Sequence, residues 1–324
     1  MAGLIALALL AAACGSSKKT SSSATTAGGS ATTASGGGLK LSKPVKVVLL
    51  AEIVGESAIA INGYWYAAQI AVDQINSAGG IGGQQVQLVR YPASPLDPQN
   101  TNAAYLKALD QNPTAIIGLP GGGTQLAGVL SNVNRGGIPL LIAALGDNTV
   151  WYGSKGGSQY AWFMEQDTSS VAQAGTNYFI QDLGDKKLAF MGTNEGYGNA
   201  SLIGFKAALS AAGLQPVAIE QYSPVATDLT PQVQAVKGAD AVPNYGYPNP
   251  VGVSLTQFQQ NGLSVPMVSG GSSFIVVQQK LSTNISKLYA STACNPTGST
   301  DPAMQSFVKT YESRFNETPR PICA

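Results

Sequence analysis

The sequence predicts an α/β fold made of two doubly wound parallel sheets that follow one another along the chain. Three observations predict it. Short β-branched runs alternate with stretches of helical spacing from Pro44 onward, as in βαβ units. The alternation breaks near Trp162–Asp167 and then starts again. A glycine count of 38 and an apolar fraction of 44% supply many tight turns and enough side chains for a sizeable core.

The elements follow in order. Val45–Leu50 reads as the first strand and Gly63–Ser77 as a helix that Gly79-Gly80 ends. Val86–Val89 is a second strand, Asn102–Leu109 a helix, Ala115–Gly118 a third strand, Thr124–Val133 a helix and Pro139–Ile142 a fourth strand. After the break, Val171–Leu183, Leu202–Ala212, Leu229–Val236 and Val251–Gln260 carry helical spacing. Between them lie strands at Lys187–Met191, Val217–Glu220, Ala239–Val242 and Val265–Val268. Asp301–Phe315 is a last amphipathic helix. The chain stops at Ala324 with no closing strand, so the fold is expected to be truncated at its C-terminus.

The N-terminal segment has another character. Met1–Ala13 is apolar and ends in small residues, too short for the ~20 residues of a membrane span and suited to a secretory signal. Cys14 follows Ala12-Ala13, an arrangement that resembles the lipobox of bacterial lipoproteins, where the cysteine is acylated. The basic stretch that usually precedes such a run is missing, so the start is expected further upstream. Residues 15–43, rich in Gly, Ser and Thr, read as a flexible linker. Lobe 1 is expected over residues 44–164, lobe 2 over 165–292, and an incomplete return to lobe 1 over 293–324.

Composition removes several function classes. Lys and Arg number 18 against 17 Asp and Glu, so no basic surface for nucleic acid is encoded. The chain has no histidine, which excludes Ser-His-Asp and Cys-His catalysis and most zinc sites. The Pro120–Thr124 loop is not a phosphate-binding Walker loop, because no Gly-Lys-Ser/Thr follows. No enzyme activity, metal or cofactor is therefore expected.

Five segments, in order, are similar to type I periplasmic binding proteins, above all the branched-chain amino acid and amide group of ABC transporter lipoproteins. They are Asn62–Val89, Ala115–Ala127 (AIIGLPGGGTQLA), Phe190–Ser201 (FMGTNEGYGNAS), Ala241–Leu263 and the final helix with its flank, DPAMQSFVKTYESRFNETP. The resemblance implies two lobes joined by a hinge, with a small molecule held between them. That placement agrees with ligand binding beyond the carboxyl ends of strands in open α/β sheets.

The resemblance also implies ligand-binding positions. Gly121, Gly122, Gly123 and Thr124 form a loop that opens a helix and offers backbone amides and one hydroxyl to an anionic group. Ala144, Leu145 and Gly146 match the second ligand-facing loop of lobe 1. Tyr197 and Tyr247 match aromatic residues that close over the ligand, with Tyr245 two residues from the latter, and Trp65 is placed at the cleft mouth or in the core. Gly271 and Ser272 stand where amino-acid binders usually carry the glutamate that pairs with the ligand's ammonium. A ligand without an α-amino group is therefore expected, unless Asp167 or Glu195 takes over that role. Cys294 and Cys323 are candidates for a disulfide, which the sequence alone leaves open.

The expected function is an extracytoplasmic solute-binding lipoprotein, held on the outer face of the cell membrane by a lipid on Cys14. It would act as a monomer, capture a branched-chain amino acid, an amide or a small or aromatic carboxylate, and deliver it to an ABC permease. A ligand sensor that signals to a membrane partner without transport would read the same.

Overall fold

The computed structural model describes residues 40–121, 123–143, 158–280, 287–292 and 294–320. The expected signal segment, Cys14 and the linker before Lys40 lie outside the described residues, as do Gly122, Ala144, Leu145, Gly146 and Cys323.

In the first half β1 (Val45–Ala51), α1 (Ala58–Ser77), β2 (Val86–Pro92), α2 (Pro98–Leu109), β3 (Ala115–Gly118), α3 (Gly123–Gly136), β4 (Leu140–Ile142) and β5 (Ala161–Phe163) alternate. The second half continues with α4 (Thr168–Gln181), β6 (Phe190–Thr193), α5 (Gly196–Ala211), β7 (Ile219–Tyr222), α6 (Thr230–Ala235), β8 (Val242–Tyr245), α7 (Pro248–Gln260), β9 (Met267–Gly270), α8 (Gly271–Lys280), β10 (Leu288–Ser291) and α9 (Pro302–Phe315).

Two five-stranded sheets result, with orders β2-β1-β3-β4-β5 and β10-β9-β8-β6-β7, and every named pair is parallel. Parallel strands need helices on their faces, which is why most positions of β1, β3, β4 and β6 are apolar. In sheet 1, Val48 and Leu50 of β1 face α2 and α3, packing with Tyr105, Ile116, Leu126, Val129 and Val133. Leu49, between them, points to the other face, where it joins Ile117 and Leu141 beneath α1 and α9 in an apolar groove of about 630 Å³. Sheet 2 is covered on both faces, by α6 and α7 through Val233, Val251 and Phe258, and by α4 and α5 through Phe179, Phe205 and Leu209.

Residues 164–167 carry the chain from β5 into α4, and residues 292–301 return it from β10 to α9. On its return α9 docks against α1: Phe315 stacks on Tyr66 at 4.2 Å and Arg314 pairs with Asp73.

The structure corrects several boundaries. Trp162 lies within the fifth strand of sheet 1, so the crossing begins only at Met164. β10 and α8 are additional elements. The strands of sheet 2 start two or three residues later than their β-branched runs suggest; Leu188 contributes only an isolated bridge to Ala241 before β6 begins. The pairing there extends instead into small and polar residues, Gly192-Thr193 and Ser269-Gly270, which are wholly buried.

Candidate functional site

Each sheet has one point where the order of strands reverses, between β1 and β3 in sheet 1 and between β6 and β8 in sheet 2. Crevices at such points are where open α/β sheets take ligands. Loops 52–57 and 119–121 leave the carboxyl ends of β1 and β3, and loops 194–195 and 246–247 those of β6 and β8.

On the lobe 1 side the chain turns sharply after β3. Leu119 and Gly121 both adopt positive φ, 68° and 92°, and a Cβ on Gly121 would lie 2.5 Å from the Gln125 carboxamide. This lets the backbone fold over Gln125, whose Nε2 donates to the Pro95 carbonyl while its buried Oε1 has no partner. Thr124 sits in the first turn of α3, as expected for a residue that opens a helix. Trp65, on α1, lies beside β2: the Arg90 guanidinium sits 5.6 Å from its ring centroid and donates to Asn62.

On the lobe 2 side Tyr197 lies in the first turn of α5, which Glu195 caps by accepting from the Tyr197 and Gly198 N–H groups at 3.1 and 3.4 Å. The same carboxylate accepts from Thr193, so it is fully engaged. Asp167 is likewise taken up in capping α4, through Ser170 N–H and the Ser169 hydroxyl. The Tyr197 and Tyr247 ring centroids are 6.2 Å apart. The Tyr247 hydroxyl donates across the cleft to the Pro95 carbonyl at 3.4 Å. Burial pushes both phenols above their ordinary range, so both remain neutral donors. Tyr245, by contrast, is a core residue: it is buried and points toward α4, where a Cβ on Gly175 would meet its hydroxyl at 2.6 Å.

The structure places Gly271 and Ser272 in the first turn of α8, a helix that the Gly-Gly-Ser-Ser run hides. The next residue, Ser273, donates to the Gly246 carbonyl at 2.6 Å and ties α8 to the loop after β8. Gly270 lies directly under Tyr197, and a Cβ there would fall 2.3 Å from its hydroxyl oxygen. Gly270→Ala is therefore expected to destabilise the fold by about 1–3 kcal/mol through overpacking. Adding Tyr197→Phe should recover much of that loss, because the hydroxyl is the contacting atom; urea denaturation of the double-mutant cycle checks it.

Four acidic and phenolic groups at the junction of the lobes are absent from the sequence-derived candidates. In the crossing, Glu165 accepts from the Tyr64 hydroxyl at 2.8 Å, and burial raises its carboxyl to about 7. Glu52, immediately after β1, and Glu56 border a cavity of about 800 Å³. Its other walls are the Ser94–Leu96 region, residues 224–227, and α7 with Lys280 of α8. Glu52 directly follows the apolar run Val47–Ala51, a position that by itself does not separate a buried carboxylate from a solvated one. Cys294 is disulfide-bonded; Cys323, its expected partner, lies outside the described residues. Among the described residues no cluster of three or more metal-ligating side chains occurs, and no helix is long and apolar enough to cross a membrane.

Comparisons with known proteins agree with this architecture. A family model described as periplasmic binding protein matches residues 44–322. The chain is 24% identical over 230 residues to the Leu/Ile/Val-binding protein homolog 3 of Brucella melitensis, an alignment taking in 70% of this chain. It spans about 61% of that relative's length. Among solved structures, the branched-chain amino acid transporter substrate binding protein LivJ from Streptococcus pneumoniae, in complex with isoleucine, superposes with a TM-score of 0.76 at 23% identity. That match covers 86% of this chain and 80% of the other. An ABC transporter solute binding protein from Rhodopseudomonas palustris BisB5, in complex with 3,4-dihydroxybenzoic acid, superposes at 0.70 with 17% identity, covering 86% and 76%. At these identities the structural likeness speaks for the fold, while the family match extends over most of the sequence. The chain belongs to the periplasmic binding protein family, with the type I fold of its branched-chain amino acid group.

Proposed function

We propose that this chain is the extracytoplasmic solute-binding component of an ABC importer, tethered through a lipid on Cys14, that captures a small molecule between its lobes and hands it to a membrane permease. It acts as a single chain and catalyses nothing. The observation that carries the reading is the facing of the two strand-order reversals, with Tyr247 reaching from lobe 2 to the Pro95 carbonyl of lobe 1. Hinge closure of such lobes around a solute is an established mode of capture. The relatives bound to isoleucine and to dihydroxybenzoate define the ligand classes to examine first, small apolar amino acids and aromatic carboxylates. Gly121 and Thr124 support an anionic ligand group from lobe 1, and Tyr197 and Tyr247 support an apolar or aromatic body.

A thermal-shift screen of the chain against amino acids, amides and aromatic or short carboxylic acids tests this. A solute at a hundred times its dissociation constant should stabilise the fold by about 2.7 kcal/mol, several degrees in melting temperature. Absence of a shift with every class overturns the proposed binding role for these solutes.

A further inference from the structure

We infer that Glu52 and Glu56 form a cation subsite in the cleft, which takes the ammonium or other N–H-rich cationic end of a small organic solute. The inference rests on the reading of the cleft as a solute site and names the chemistry of one end of that solute.

Glu52 leaves β1 at the strand-order reversal of sheet 1 and is only 5% exposed. The loop that follows is shaped around its carboxylate. Ser57, at the start of α1, lies beside it and offsets part of the effect of burial. Gly55, with φ of 147°, brings the chain so close that a Cβ there would sit 1.8 Å from Oε1. The other oxygen, Oε2, is buried and has no partner. Glu56 is divided in the same way. Its Oε2 accepts from the Asn249 N–H at 2.9 Å, while its buried Oε1 has no partner. A buried carboxylate oxygen left without a donor is costly, and a fold that retains two of them beside one cavity provides for a partner.

The groups around the cavity do not supply that partner. Among the described residues Lys280 is the one Lys or Arg that lines it; it faces Glu56 and donates to the Asn249 side chain at 3.4 Å. One ammonium against two carboxylates leaves a negative balance on the side of Glu52. Tyr247 also faces both carboxylates and stays neutral. Two carboxylates with no third acidic, histidine or cysteine side chain among the described residues suit an organic cation better than a divalent metal, which takes six or more oxygens. Asp167 and Glu195, the acidic residues that the sequence offered for this role, are occupied as helix caps. The ammonium partner missing at Gly271-Ser272 is thus found on the opposite lobe. Burial, and to a smaller degree Glu56, raise the Glu52 carboxyl to about 7, so an arriving cation displaces a proton.

The experiment uses the full chain, three probes built on one carbon skeleton, and the variant Glu52→Gln. The probes are L-leucine, 3-methylbutylamine, which lacks the carboxylate, and 4-methylpentanoate, which lacks the amine. Calorimetry should show that leucine and the amine bind and that 4-methylpentanoate binds at least tenfold more weakly than leucine. Glu52→Gln should lower the affinity for both amines at least tenfold. Without any probe, Glu52→Gln should melt at the same temperature as the wild type at pH 5 and higher at pH 8, because it removes a charge that is buried without a partner. If 4-methylpentanoate binds as well as leucine and Glu52→Gln changes neither, the cation subsite is refuted while solute capture stands. If Glu52→Gln lowers the melting temperature equally at both pH values, Glu52 is a structural residue and the subsite is refuted. If no probe binds the wild type, both the subsite and the capture of solutes of this kind are overturned.

Discussion

Gly204→Ala is expected to destabilise the protein by about 3 kcal/mol, at the upper end of what overpacking usually costs. Gly204 lies in the middle of α5, where that helix crosses α4, and a Cβ there would fall 1.9 Å from the Ser169 carbonyl oxygen and 2.9 Å from the Gln173 amide nitrogen. Both are backbone atoms, so no rotamer change relieves the contact. The two helices would have to move apart, loosening the cluster in which Ala172, Phe179 and Phe205 pack against sheet 2. Gly128→Ala provides the contrast. That glycine is inside α3, its nearest neighbours for a Cβ are atoms of Pro98 at 3.6 Å, and alanine should be neutral or stabilise by about 0.5–1 kcal/mol. Urea denaturation of the two variants separates the effects; equal midpoints would refute the close crossing of α4 and α5.

The second large effect is on pH dependence. The Glu165 carboxyl, raised from 4.5 to about 7 by burial, holds its proton more tightly in the folded chain than in the unfolded one. Its contribution to stability is therefore complete below about pH 4.5 and is lost as the pH rises to about 7. The size is roughly 2 kcal/mol once partial solvent contact is allowed for. Glu52 acts in the same direction, so Glu165→Gln should flatten the decline between pH 5 and pH 8 without abolishing it. The Tyr64 hydroxyl can still donate to the glutamine oxygen, so the variant should stay folded. Urea midpoints at the two pH values measure the slope; an unchanged slope would show that Glu165 is ionised in the folded protein throughout.

Much of the fold was legible in the sequence because buried parallel strands are almost wholly apolar and helices return at 3.6-residue spacing. β1 and β3 lie where Val45–Leu50 and Ala115–Gly118 indicate. β5 escaped notice since it has only three residues, with Trp162 among them exposed. The later strands of sheet 2 run into residues such as Asn244 and Ser269, which no propensity assigns to a strand. Asn244 is held there by the Tyr222 hydroxyl and by Ser254, contacts remote in sequence. The candidate site was legible on the side of Tyr197 and Tyr247, where aromatic residues follow strands. Glu52 and Glu56 were not legible, because an acidic residue in a loop is ordinarily solvated. Only the folding of Gly55 over the carboxylate, and the approach of α7, bury them.

The two sheets repeat one strand order, so each loop around the cleft has a counterpart in the other lobe. Glu52 after β1 corresponds to Asn194 after β6, and Leu119 after β3 to Gly246 after β8. The counterparts differ in chemistry: Glu52 and Glu56 border the cavity from the first lobe, while the loops after β6 and β8 in the second carry the neighbouring Tyr197 and Tyr247 rings. A topological duplication has thus become a polarised recess. On the proposed reading its two walls take different ends of a guest, and exchanging the loops between lobes would invert the direction in which that guest lies.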